Sequence, residues 1–265
     1  MARPWRLIRT GIYTAAENMA IDHALLDALH NEAGANTLRF YRWFPSAVSI
    51  GRFQHIEDEV DLEACKAQKV DVVRRLSSGG AVYHDFEGEL TYSIVCRMDE
   101  ATIPTDIMAS YKHLCNGLLK GLRGLGLHVE FSPGSERFCP NLFVTGRKVS
   151  GNSQSRRGNA LLQHGTVLRL LDLRKMYSVL KVARAKADAE IIKRAAETLT
   201  SLQQELGEAP AFERIEESLI SGFSTALGAR FYEEPFTEAE LESARGLAKT
   251  WYENPSWTFQ RGFEQ

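Results

Sequence analysis

The sequence predicts an α+β fold, and two observations carry that prediction. Short runs rich in β-branched and aromatic residues recur from about residue 37 to residue 168, each bounded by Gly, Pro or small polar residues. From about residue 172 the character changes to charge-rich segments whose apolar residues fall at helical spacing, so a β-rich part to about residue 185 is followed by a helical C-terminal part, 186–265. No internal repeat or low-complexity tract argues for an array architecture.

The elements follow in order. NMAIDHALLDALH, residues 18 to 30, spaces Met19, Ile21, Leu25, Leu26 and Leu29 along one helical face, with Asn18 as the expected N-cap. TLRFY (37 to 41) and AVSI (47 to 50) read as strands separated by a turn at Pro45. VDVVR (70 to 74) and LTYSIV (90 to 95) repeat the strand pattern, and 107 to 124 carries a helical stripe from Met108 to Leu122. LFVTGRKV (142 to 149) is expected to form a hairpin about Thr145-Gly146, and ALLQHGTVL (160 to 168) a further strand. The remaining helices are expected over 186 to 206, 211 to 227 and 237 to 252, the last opened by a Thr237/Glu240 capping box.

Composition excludes several classes. With 44% hydrophobic and 25% charged residues the chain can bury a sizeable core, which removes disordered and collagen-like classes. A formal net charge of -2 gives no basic field for nucleic acid. Four cysteines, Cys65, Cys96, Cys115 and Cys139, lie 31, 19 and 24 residues apart, which is neither CxxC metal spacing nor a small disulfide framework. They are expected to be reduced thiols. The N-terminus has no apolar core of a signal peptide and no stretch of about 18 apolar residues occurs, so a cytoplasmic protein without membrane association is expected.

Two stretches carry chemistry. In RRLSSGGAVYHD, residues 74 to 85, Gly79 and Gly80 allow backbone to approach a ligand, and consecutive N–H groups in such a loop bind phosphate or carboxylate oxygens. By itself the glycine pair reads as a tight strand-to-strand turn. Arg74 and Arg75 point to opposite faces if they lie in a strand, so one can meet a ligand while the other makes a structural ion pair. His84-Asp85 suits orientation or hydrogen bonding better than a metal cage, because no second histidine stands at ligand spacing. In GRKVSGNSQSRRGNALLQHGT, residues 146 to 166, Gly151 and Gly158 bracket a small polar segment able to contact a nucleotide or its phosphates, with Lys148 before it and His164 after.

RRLSSGGAVYHD, then GELTYS, then GRKVSG, then QHGT, in this order, resemble the lipoate-protein ligase and octanoyltransferase superfamily, related to biotin protein ligases. LRFYRWFPSAVSIGRFQ (38 to 54) and NMAIDHALL match its early strand pair and first helix, so the resemblance covers most of the chain. It implies a single catalytic domain over 1–265, with a mixed β-sheet flanked by helices like the core of class II aminoacyl-tRNA synthetases. It also implies substrate or nucleotide contacts from Arg74, Ser78, Gly79, Gly80, Ala81, His84, Gly151, Asn152 and His164, with Lys148 as the catalytic cation at the acyl carbonyl.

The activity expected from this resemblance is ATP-dependent activation of lipoate to lipoyl-AMP and transfer to a lysine of a lipoyl carrier domain, of the E2 or H-protein kind. ATP and Mg²⁺ are the implied cofactors, without a legible set of metal ligands, and a separate accessory subunit is a further implied partner. Lys148 and an arginine would neutralise the α-phosphate and the developing oxyanion, and the Gly- and Ser-rich 146 to 158 segment would close as a lid. The alternatives are an octanoyl or lipoyl transferase using a Cys139 thioester, and a non-catalytic lipoate-binding relative. GGAVYHD is closer to the ligase form; GELTYS resembles the transferases.

Overall fold

The computed structural model describes residues 3 to 99, 102 to 132, 134, 140 to 181 and 188 to 260. The strands are β1 (Arg3–Tyr13), β2 (Thr37–Trp43), β3 (Ala47–Ile50), β4 (Asp71–Arg74), β5 (Val82–His84), β6 (Glu89–Arg97), β7 (Val129–Ser132), β8 (Asn141–Val144), β9 (Arg147–Arg157), β10 (Ala160–Leu168) and β11 (Ala229–Glu233). The helices are α1 (Ala15–His30), α2 (Ile56–Glu59), α3 (Leu62–Gln68), α4 (Ile107–Gly124), α5 (Leu173–Val179), α6 (Asp188–Thr198), α7 (Leu202–Leu206), α8 (Phe212–Leu227), α9 (Glu238–Leu247) and α10 (Pro255–Phe259), with a π-helical turn at Ala248–Tyr252 between the last two.

Eight strands form one mixed sheet in the order β11-β1-β2-β6-β10-β9-β8-β7, and β4-β3-β5 form a small second sheet. The expected mixed sheet flanked by helices is what the chain adopts. β1 pairs in parallel with both β11 and β2, while β6 is antiparallel to β2 and to β10. The part expected to be purely helical therefore returns one strand, β11, to the edge of the main sheet. Among the described residues no helix is long and apolar enough to cross a membrane.

Both faces of the sheet are covered, but by different chemistry. On β6, Leu90, Tyr92, Ile94 and Cys96 join a core with Leu114, Leu118 and Leu122 of α4 and Leu219 and Phe223 of α8. A Cβ at Gly222 would stand 2.2 Å from the Gly121 nitrogen, so glycine is what lets α4 and α8 pack this closely. The alternate residues Glu89, Thr91, Ser93 and Val95 face the other way, Ser93 and Val95 toward α1 and Glu89 and Thr91 toward His84 and Trp43, as the two-residue period requires. Three of these four are polar, yet all are at most 3% exposed. A strand buried on both faces with polar residues on one of them must supply those groups with partners, and the site lies there.

The helix expected from Asn18 starts one turn earlier. Thr14 is the N-cap of α1 and makes a reciprocal capping box with Glu17, a T-x-x-E pattern present in the sequence. Asn18 instead turns inward and donates to the carbonyls of Tyr13 (3.2 Å) and Arg42 (3.0 Å). The 186 to 206 helix is broken between α6 and α7, where Ser201 caps α7. The hairpin about Thr145-Gly146, the α4 boundaries and the Thr237/Glu240 box form as expected.

Candidate active site

A cavity of about 230 Å³ lies between the polar face of the main sheet, the small sheet and the 75 to 81 loop. Along its floor Tyr41 stands opposite Thr91, and Thr91 opposite Thr166, whose hydroxyl accepts from the Gly151 amide at 3.5 Å. This row crosses β2, β6, β10 and β9, three inter-strand spacings, so the floor is roughly 14 Å long. Trp43 and His84 stand at one end, Lys148 and Gly151 at the other.

The loop over this floor is shaped by Arg75. Its guanidinium donates to the carbonyls of Ser49 (3.0 Å), Ser78 (2.8 Å) and Gly80 (2.7 Å), and its Nε to the Ser77 hydroxyl (3.2 Å). A charged fork holding three carbonyls fixes a loop that has no ladder of its own. Gly79 takes φ 97°, and its carbonyl comes so near Gly51 that a Cβ there would sit 2.0 Å from it.

Arg74, expected at the ligand, is not at the cavity. It is fully buried on the far side of β4 and donates to the carbonyls of Gly51, Arg52, Gln54, Trp257 and Thr258 at 2.8 to 3.1 Å. It ties α10 to the loop after β3. Strand alternation correctly sets the two arginines apart, but the inward member of the pair is Arg75.

His84 lies flat on Trp43, with ring centroids 4.0 Å apart. Its Nδ1 donates to Glu89 Oε1 at 2.7 Å, and its Nε2 is hydrogen-bonded to the Ser49 hydroxyl at 2.9 Å. Glu89 also accepts from Thr91 (2.5 Å), whose oxygen accepts from the Trp43 indole N–H (2.7 Å).

A second network reaches the loop from α1. Asp22 Oδ1 accepts from Arg39 (2.7 Å) and Ser93 (2.8 Å), and Oδ2 accepts from Tyr41 (3.0 Å) and lies 3.5 Å from His164 Nδ1. Burial alone would raise the Asp22 pKa; Arg39 and the bonds from His164 and Ser93 outweigh it and hold the carboxyl below its ordinary value. Burial lowers His164, against the pull of Asp22. Neutral His164 then accepts from the Ser77 hydroxyl at 2.6 Å.

At the other end Lys148, half-buried, arches over Gly151, where a Cβ would meet its Nζ at 2.8 Å. A bulge puts it there. Leu142 pairs with Ser150, but the next pair is Phe143 with Lys148, so Val149 is an extra residue. Ser153 of the same strand bonds the Ser78 carbonyl of the loop, and Gly151, two residues before it, lines the cavity; an unbroken period would next place Val149 there. Val149 instead packs in the apolar core and Lys148 lines the cavity. Because β9 is paired to β10 on one side and β8 on the other, the 146 to 158 segment is sheet and not the expected lid.

Of the residues singled out in the sequence, Ser78, Gly79, Gly80, Ala81, His84, Lys148, Gly151, Asn152 and His164 all line the cavity. The sequence reading missed Asp22, Tyr41, Trp43, Glu89 and Thr91, and took Arg74 rather than Arg75. The alternating polar residues of TLRFYRW and ELTYS are the signal that could have found several of them. Cys139 lies outside the described residues. Burial raises the Cys65 thiol to about 11 and Cys115 to about 12, and raises Cys96 as well, so these three are poor nucleophiles. Among the described residues no group of three or more His, Cys, Asp or Glu side chains is arranged to hold a metal ion, and the described lining of the cavity carries no carboxylate.

Residues 14–224 match the family described as lipoyl protein ligase A/B catalytic domain. The octanoyltransferase LipM of Carboxydothermus hydrogenoformans is 36% identical over 273 residues, covering 97% of this chain and 98% of that protein. The octanoyltransferase LipM of Clostridioides difficile is 32% identical, covering 97% and 99%. Among solved structures, the bipartite lipoate protein ligase of Thermoplasma acidophilum, studied with its E2 lipoyl domain, superposes with a TM-score of 0.85 at 28% identity, covering 100% of this chain and 99% of that one. A lipoate-protein ligase A bound with ATP gives the same TM-score and identity, covering 99% and 100%.

Proposed function

The chain belongs to the lipoyl protein ligase A/B catalytic domain family, and we propose that it transfers an octanoyl group from the thioester of an acyl-carrier protein to a lysine of a lipoyl carrier domain. The observation that carries transfer over adenylation is that curated relatives matching nearly the whole chain bear the name octanoyltransferase. The cavity agrees with that reading. It measures about 230 Å³, and its floor of roughly 14 Å suits one medium-length acyl chain laid across the strands.

Cys139 is the proposed nucleophile, and Asn141, two residues further along the chain, lines the cavity. The Cys139 thiol gives up its proton and attacks the donor thioester carbonyl as the thiolate, the donor C–S bond breaks, and the carrier sulfur takes up that proton and leaves as a thiol. The Lys148 ammonium stabilises the oxyanion of each tetrahedral intermediate. The amine of the lipoyl-domain lysine then attacks the Cys139 thioester, forming the amide and returning the thiol. Trp43 and His84 close the far end of the cavity against the acyl tail.

The second reading, ATP-dependent ligation of lipoate, is favoured by the likeness to a ligase A bound with ATP. The described lining does not fit a nucleotide with magnesium, which usually needs a protein carboxylate, and no step of the proposed transfer passes through either. Intact-mass analysis after mixing with octanoyl-carrier protein decides between the two. A hydroxylamine-labile octanoyl adduct that disappears in Cys139→Ser is the expected result, and full turnover by Cys139→Ser would remove the cysteine from the mechanism.

A further inference from the structure

The bulge that brings Lys148 to the cavity is held from outside the sheet. The register between β9 and β10 ends at Asn152 opposite Gly165, so at Lys148 the edge of β9 away from β8 is left to another partner. The linker between α6 and α7 takes it: Leu199 bridges Lys148 in parallel, and the Thr200 amide donates to the Lys148 carbonyl at 2.9 Å. That linker is itself anchored. Glu205 Oε1 on α7 accepts from the Thr200 hydroxyl at 2.6 Å and from Arg147, the residue before Lys148, at 2.8 Å. Thr200 and Ser201 are fully buried, and the Ser201/Gln204 capping box fixes the first turn of α7.

A bulge interrupts its ladder and needs support to keep one geometry. Here the support comes from residues that touch neither the cavity nor its loop. Glu205 bridges the side chain before Lys148 to the residue bonded to the Lys148 backbone, so one carboxylate grips the bulge at two points. We infer that Arg147, Thr200 and Glu205 form a clamp that holds Lys148 on the cavity face, which makes them positioning residues for acyl transfer; this rests on the role proposed for Lys148. The helical part of the chain then takes part in the reaction indirectly, by setting where one ammonium stands.

The test is octanoyl transfer by Arg147→Met, Glu205→Ala and Thr200→Val, each made in the native protein and in Lys148→Ala. Misplacing a catalytic group by an ångström costs up to about a hundredfold; a partly loosened clamp should lower kcat roughly tenfold and leave KM for the donor within about twofold. In Lys148→Ala the same changes should cost nothing further, because the group they position is gone, and Arg147→Lys should recover most of the native rate. Equal losses in both backgrounds would show a merely structural role and overturn the clamp. Native kcat in all three variants, with Lys148→Ala inactive, would overturn it while sparing the role of Lys148. Native turnover by Lys148→Ala would remove that role and the clamp with it. If Glu205→Ala does not fold, the Thr200→Val and Arg147→Met pair gives the same reading.

Discussion

The imidazole of His84 lies 4.0 Å above the indole of Trp43, with 15° between the planes, and Glu89 holds its Nδ1 at 2.7 Å. Ser49, His84 and Glu89 thus make a hydrogen-bonded chain of the serine–histidine–acid kind, at the end of the floor opposite Lys148. There it fixes the ring that closes the cavity.

Glu89→Leu should unseat that ring. It strands the His84 N–H and the Thr91 hydroxyl, both buried, and should destabilise the protein by about 2 kcal/mol or more, at roughly 1–3 kcal/mol for each buried polar group left unpaired. Chemical denaturation measures it. Loss below 0.5 kcal/mol would mean that Glu89 is not needed to hold His84.

Arg74→Lys separates a ligand role from a structural one. A lysine nitrogen cannot serve five carbonyls, so the change should cost at least about 2 kcal/mol from unsatisfied buried acceptors and loosen the packing of Trp257, whose indole N–H donates to the Arg74 carbonyl at 2.8 Å. Tryptophan fluorescence and melting report both, and the folded fraction should keep KM for the acyl donor within about twofold. A large rise in KM with unchanged stability would return Arg74 to the substrate.

Stability should fall as the solution is acidified below about pH 6.5. His164 has its pKa lowered from 6.5, chiefly by burial, with Asp22 opposing and Arg75 and His84 assisting. Above 6.5 the ring is neutral in both states and its full contribution is present; below it the unfolded chain binds the proton first, and stability is lost until the folded value is reached. His23 and His113 are lowered in the same direction. Melting curves from pH 7.5 to 5 should show this slope, and His164→Gln should make it shallower; an unchanged slope in the variant would assign the effect to the other two.

The sequence makes legible what is local in the chain. The SSGG loop, Lys148 behind its hairpin turn and the Thr237/Glu240 box each announce themselves within a few residues. Asp22 does not, because its partners Arg39 and Ser93 stand 17 and 71 residues away, and an aspartate in a helix otherwise reads as a solvated face. β1 and β11 escaped for the same reason: residue 3 is paired with residue 229. The choice between Arg74 and Arg75 depends on which face of β4 the small sheet turns inward, and the bulge at Val149 depends on β8, so neither follows from the strand alone.

Acyl transfer without nucleotide is the central claim, and one reaction tests it most directly: the protein, octanoyl-carrier protein and an apo lipoyl domain, with no ATP present, read by the intact mass of the lipoyl domain. The account predicts a lipoyl domain carrying one octanoyl amide at its acceptor lysine, and none when the donor is free octanoate with MgATP. Modification from free octanoate or lipoate with MgATP, and none from the carrier thioester, would contradict it and leave adenylate-forming ligation as the activity.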